Sequence, residues 1–310
     1  MAGDTHDLTA VLAREHERFL DERSGEVHDV RLDQDRGAGL FGLATMSIDG
    51  RLSRAGDADV PFAIQSVVKP WIYALALLDH GDEVLESVGV EPTGAPFDAL
   101  VLEEETGRPP NPMVNAGALM AASLVSGRDA DERVERIVDT CSRAAGRDLA
   151  VDDEVAAHEI EHGHRNRALG HLMRDGDLLR CGVDDAVEVL ARACAISITT
   201  VDLATMGATL AGWGSRPGSS EQVLPRHVAT DVVSVMATCG MYDGSGRWLH
   251  RAGLPAKSGV DGALMAVAPG RLGIGSYSPA LDDRGNSVRG LLVGERLSEV
   301  LHLHPYGPPD

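Results

Sequence analysis

A chain of 310 residues, 43% hydrophobic and 25% charged, has the make-up of a globular protein, long enough for one large domain or two interlocked lobes. Its 28 basic and 48 acidic residues leave a formal charge of -20, which repels phosphate backbones and argues against nucleic acid as a partner. No apolar run reaches the roughly 20 residues that span a bilayer, and MAGDTHDLTA carries no secretory signature. Cys141, Cys181, Cys194 and Cys239 lack C-x-x-C spacing, so a cytoplasmic protein with reduced thiols and no membrane partner is expected.

In chain order, Leu8, Val11, Leu12 and Phe19 share one face of an opening amphipathic helix, with Asp7 placed to cap it. LFGLATMSIDGRLSRAG predicts two strands meeting at Asp49-Gly50, a hairpin signal. From Ser66 to about residue 211 the periodicity is helical, in VVKPWIYALALLDH, PMVNAGALMAASLV, DERVERIVDTCSRAA, DAVEVLARACA and VDLATMGATLAG. GALMAVAP and RLGIGSYS return to strands, and GLLVGERLSEVLHL closes as a helix. The expectation is an α+β chain whose sheet is assembled from both ends, about 1–65 plus 225–310. The mostly helical stretch, about 66–224, forms a second lobe across a cleft.

Rare residues point to the chemistry. Lys69 and Lys257 are the only lysines, and Asn111, Asn115, Asn166 and Asn286 the only asparagines. Arginine serves for surface charge but cannot release its proton at working pH, so a chain that keeps two lysines has use for an amine that can be neutral. PFAIQSVVKPW puts Ser66 three residues before Lys69, where hydroxyl and amine are neighbours on a helix, and Pro70 fits a first turn. A neutral lysine beside a serine can act as the general base for nucleophilic attack. LPAKSGVDGALMAV, with Lys257-Ser258-Gly259 before an apolar strand, is similar to the K-T-G strand of penicillin-recognising serine enzymes. The N–H groups of Ser66 and Val260 could then form an oxyanion hole, and Tyr242 could relay a proton.

With VPFAIQSVVKP, NPMVNAGA, the 159–166 segment, CGMYDGSG, GLPAKSGV and SPALDDRGNSVRG, spread over about residues 60–290, the chain resembles the serine-dependent glutaminases, a family related in fold to β-lactamases and penicillin-binding proteins. The resemblance implies a single catalytic domain over 1–310, hydrolysis of L-glutamine to L-glutamate and ammonia, no cofactor and no metal, and a homodimer or homotetramer. It implies Ser66 as nucleophile, Lys69 as its base and Tyr242 as proton donor. Substrate-binding roles fall to Ser66, Asn115, Glu159, Asn166, Tyr242 and the amide of Val260, with Gln65, Lys257, Ser258 and Gly259 in support. Lys257 is expected to keep Lys69 neutral by like-charge repulsion. Two positions depart from the family pattern: Leu190, and Val30 in a less certain register, stand where tyrosines are expected.

HEIEHGHRN, residues 158–166, also matches the H-E-x-x-H pattern of zinc proteases through His158, Glu159 and His162. Gly163 weakens that helix and Arg165 stands where the extended pattern has a glycine, leaving Glu188 as a possible third ligand. The more economical reading places Glu159 and Asn166 two helical turns apart on one face, to hold the ammonium and carboxylate of an amino acid. A β-lactamase-like or other small-amide serine hydrolase and a non-catalytic amino-acid-binding protein are the remaining alternatives.

Overall fold

The computed structural model describes residues 8–28, 32, 34–95 and 99–308, so Asp7 and Val30 lie outside the described residues. The first part of the chain forms α1 (Leu8–Phe19), β1 (Glu26–Val27), α2 (Gln34–Gly39), β2 (Gly42–Ser47), β3 (Leu52–Gly56) and β4 (Phe62–Ala63). The middle holds α3 (Lys69–His80), α4 (Val84–Ser87), α5 (Asn115–Leu124), α6 (Ala130–Ala145), β5 (Ala150–Val151), α7 (Asp153–His162), α8 (His164–Asp175), α9 (Val183–Cys194), β6 (Ile196–Ile198) and α10 (Thr200–Ala211). The last part comprises α11 (Arg226–Cys239), α12 (Ser245–Ala252), β7 (Ala256–Ser258), β8 (Ala263–Ala268), β9 (Leu272–Tyr277), β10 (Ala280–Leu281) and α13 (Val288–Val300).

The predicted hairpin is β2 and β3, turning at Gly50 with φ +90. β2 continues onto β9, so the main antiparallel sheet runs β3-β2-β9-β8-β7 and joins the two ends of the chain. The α+β class and the sheet built from both termini therefore agree with the sequence. α1, α12 and α13 cover one face of this sheet around Leu12, Phe41, Trp248, Leu264 and Leu297. α10 covers the other face and is buried along almost its whole length. It starts at a capping box, with Thr199 and Asp202 exchanging side-chain and backbone bonds, and Arg147 holds Asp202 at 2.8 and 2.5 Å. Gly273 and Gly275 let helix and strand touch directly: a Cβ there would stand 2.2 Å from Ala208 N and 2.5 Å from Thr200 O.

Two features differ from the sequence expectation. A small second sheet, β4-β6-β5, places β5 and β6 inside the predicted helical region; its two- and three-residue strands are too short for periodicity to register. The helix expected across Glu159 and Asn166 is broken: α7 ends at His162, Gly163 takes φ −70 and ψ 29, and α8 starts at His164. Glu159 and Asn166 thus belong to successive helices rather than to two turns of one. In addition, α11 and α12 lie within 225–310, where the sequence emphasised strands. No helix among the described residues is long and apolar enough to cross a membrane.

Candidate active site

β4 delivers the chain to Ser66. Ile64 N donates to Ile196 O at 2.9 Å, tying this segment to the small sheet. The backbone then turns through Gln65 at φ +48, a left-handed conformation costing on the order of 1 kcal/mol or more for a residue with a side chain. A 3-10 turn, Gln65–Val68, leads into α3, with Pro70 in its first turn. Side chains three apart eclipse in a 3-10 turn, so Ser66 and Lys69 project to the same side. Both are buried, Ser66 at 8% and Lys69 at 2% exposure.

Lys69 Nζ donates to Asn115 Oδ1 at 2.6 Å and to Met113 O at 3.4 Å, and among the described residues no hydrogen bond joins it to Ser66 Oγ. Burial drives the amine down from 10.5 to about 8, leaving it still protonated at neutral pH, and an ammonium needs acceptors. The two acceptors are held in place by Asn111, whose Oδ1 accepts from Met113 N and Val114 N at 3.0 and 3.2 Å. The rare Asn111 is therefore a support of the site that sequence reasoning noted without giving it a role.

Tyr242 opens a 3-10 turn, Tyr242–Gly244, with φ +57. Its phenol donates to Ser258 O at 2.9 Å, and Lys257 Nζ donates to the same carbonyl at 2.6 Å while lying 4.4 Å from the centre of the Tyr242 ring. Burial pushes the phenol far up; hydrogen bonding with Ser66 and then with Ser258 opposes this. The phenol is therefore neutral near pH 7 and touches both Ser66 and β7. Lys257 lies well below its usual value, through burial first and the charge of Lys69 second. This reverses the expected direction: Lys69 is depressed by its own burial, and Lys257 is the amine that yields to its neighbour.

β7 reaches this point because Gly240 permits it; a Cβ there would meet Ala256 O at 1.7 Å. Gly259 lies against the Ser66 turn, its Cβ position 3.3 Å from Val67 Cγ2 and 3.5 Å from Ile64 O. Ser258 Oγ is buried without a hydrogen-bond partner. Among the described residues the N–H groups of Ser66 and Val260 have no backbone acceptor, which leaves two donors open beside the serine.

Gln65 Nε2 donates to Glu159 Oε1 at 3.1 Å, bringing α7 to the Ser66 turn across 94 residues of sequence. Asn166, half-buried on α8, has a carbonyl oxygen that is buried and unpartnered, and no hydrogen bond links it to the residues above. Cys194, ending α9, also belongs here. Its thiol is pushed up to about 12, mainly by burial, with Glu159, Lys69, Asp261 and Lys257 all close enough to act on it. Nothing in the sequence marked this thiol as part of the site. Leu190, one turn earlier on α9, is 2% exposed inside the larger apolar cluster and presents no hydrogen-bonding group.

The residues of the zinc pattern are otherwise engaged. The His158 and His162 rings lie 4.1 Å apart, tilted by 30°, His162 Nδ1 bonds the carbonyl of His158, Glu159 accepts from Gln65, and Glu188 is engaged by Arg192 at 3.1 Å. Among the described residues no group of three His, Cys, Asp or Glu could hold a metal ion.

Residues 34–306 match the glutaminase family model. The chain is 52% identical over 302 residues to a glutaminase of Clavibacter michiganensis subsp. michiganensis, covering 97% of this chain and 92% of that protein. A glutaminase of Microcystis aeruginosa is 42% identical over 291 residues, covering 93% and 86%. A crystal structure of Mglu in its glutamate form superposes with a TM-score of 0.92 at 41% identity, over 99% of this chain and 72% of that one. The probable glutaminase ybaS superposes at 0.94 with 35% identity, over 99% and 100%. The chain belongs to the glutaminase family.

Proposed function

We propose that this glutaminase cleaves the side-chain amide of L-glutamine through an acyl-serine formed on Ser66, with Lys69 as the base. Lys69 in its neutral form takes the Ser66 proton as Oγ attacks the amide carbon. The N–H groups of Ser66 and Val260 receive the oxyanion. The leaving nitrogen takes a proton from Tyr242, which is refilled from Lys69 in the same step, because so high a phenol acts as a relay and does not ionise by itself. Ammonia departs and a glutamyl ester remains; water attacks it, the same amine takes its proton, and glutamate is released. Glu159 pairs with the substrate ammonium, and Asn115 and Asn166 hold its polar ends. A homodimer or homotetramer, a cytoplasmic location and one catalytic domain over 1–310 belong to the same reading and rest on the family.

The observation that carries the mechanism is the amine at about 8, buried three residues from a serine whose hydroxyl contacts the Tyr242 phenol. Ammonia release by Ser66→Ala and Lys69→Ala tests it. Each variant should lose at least about a thousandfold in kcat/KM. Turnover within about tenfold of wild type in either removes that residue from the reaction.

A further inference from the structure

The stretch SPALDDRGNSVRG has no part in the reaction above, yet it folds directly behind Tyr242. Its 282–286 turn is tightly built: Asp282 Oδ1 accepts from Arg284 N and Asn286 N at 3.0 and 2.9 Å, and Asp282 N donates to Asn286 O at 2.8 Å. From this turn Arg284 Nε reaches Asp243 Oδ2 at 3.1 Å, one residue after Tyr242. The turn also lies across Gly244, where a Cβ would stand 3.5 Å from Asn286 Nδ2 and 3.6 Å from Arg284 Cδ.

Two further facts give this contact its weight. Tyr242 is held at φ +57, a conformation from which a residue with a side chain relaxes when it can. An open pocket of about 320 Å³ adjoins the turn, lined by Met241, Gly244, Trp248 and Leu291 and by Asp282, Arg284 and Asn286. Met241 and Gly244, which flank Tyr242 and Asp243, border this open space, so on that side polar ties hold the strained turn. Ser245 Oγ supplies two, accepting from Met241 N at 3.0 Å and donating to Tyr242 O at 2.8 Å. The Arg284–Asp243 pair supplies the tie from outside the turn.

We propose that Arg284 and Asp243 are positioning residues, an ion pair that keeps the Tyr242 phenol aimed at Ser66 and Ser258. The inference rests on the role given to Tyr242 above. The pair is half-exposed, with side-chain exposures of 45% and 25%, so it contributes little to global stability, and its effect belongs in kcat.

The test is steady-state glutamine hydrolysis by Arg284→Gln, Arg284→Lys, Asp243→Asn and Tyr242→Phe, with thermal melting of each. Arg284→Gln and Asp243→Asn should lower kcat about tenfold with KM within about twofold, and Arg284→Lys should recover part of the loss. Melting temperatures should stay within about 2 °C of wild type. If Tyr242→Phe abolishes turnover but Arg284→Gln and Asp243→Asn keep wild-type kcat, the positioning role is wrong while the tyrosine's role stands. Loss in Arg284→Gln that Arg284→Lys does not relieve, or that comes with an equal fall in melting temperature, overturns it as well. Wild-type turnover in Tyr242→Phe removes both.

Discussion

Lys69 shows how one residue pays for function in stability. Its amine titrates at about 8 when folded and near 10.5 when unfolded, with burial as the leading cause. Below pH 8 both states hold the proton, and the folded state bears the full cost of a buried ammonium. Between about 8 and 10.5 the unfolded chain binds more protons, so stability rises with pH and the cost is gone above that window. The difference of about 2.5 pH units corresponds to roughly 3 kcal/mol, a net figure that already includes the bonds to Asn115 and Met113. Lys69→Met is therefore expected to be inactive yet more stable at pH 7, by about 2 kcal/mol in urea unfolding, with the gain fading toward pH 10. An equal or lower stability at pH 7 would contradict the pKa assignment. The scarcity of lysine and asparagine was enough to single out Lys69, Lys257, Asn111 and Asn115. The partner chosen by Lys69 was not legible, because it depends on which acceptors the fold brings within reach. Cys194 was equally hidden: burial and its neighbours give the thiol its place in the site, and it carries no motif.

At the scale of elements, the site exists because short pieces meet: the Ser66 turn, the start of α5, the end of α7, the end of α9 and β7. Gly240 is the tightest of these junctions, since α11 ends with its backbone against Ala256 at the start of β7. Gly240→Ala must move β7, and with it Lys257, Ser258 and the open amide of Val260. A loss of stability of about 3 kcal/mol and of kcat/KM of about a hundredfold is expected, read by thermal melting and glutamine hydrolysis. Wild-type values would show that β7 can shift without consequence. In the middle region α3, α5, α6, α9 and α10 were legible because each runs for ten residues or more, whereas the four-residue α4 was not. The β4-β6-β5 sheet was not, since two- and three-residue strands carry no period. The break at Gly163 was half legible: glycine signalled weakness there, but only the packed structure decides between a bend and two helices.

Across the whole molecule, strands from both ends of the chain close one sheet, and α10 binds it to the helical region that supplies Lys69 and Glu159. That arrangement followed from the order of patterns along the sequence, and the family from the motifs set at its junctions. It also accounts for the dryness on which the chemistry depends. On a surface neither lysine would be shifted far; here both amines are lowered because helices and sheet together exclude water from them.

The pH dependence of kcat/KM for glutamine, followed from about pH 6 to 10, tests this most directly. On the proposed mechanism Lys69 accepts the Ser66 proton only when neutral, so kcat/KM should climb with pH through an apparent pKa near 8. It then bends down where the substrate ammonium held by Glu159 loses its proton, and Lys69→Ala should lack the rising limb. A flat profile over this range, or a rise that persists in Lys69→Ala, would contradict the account.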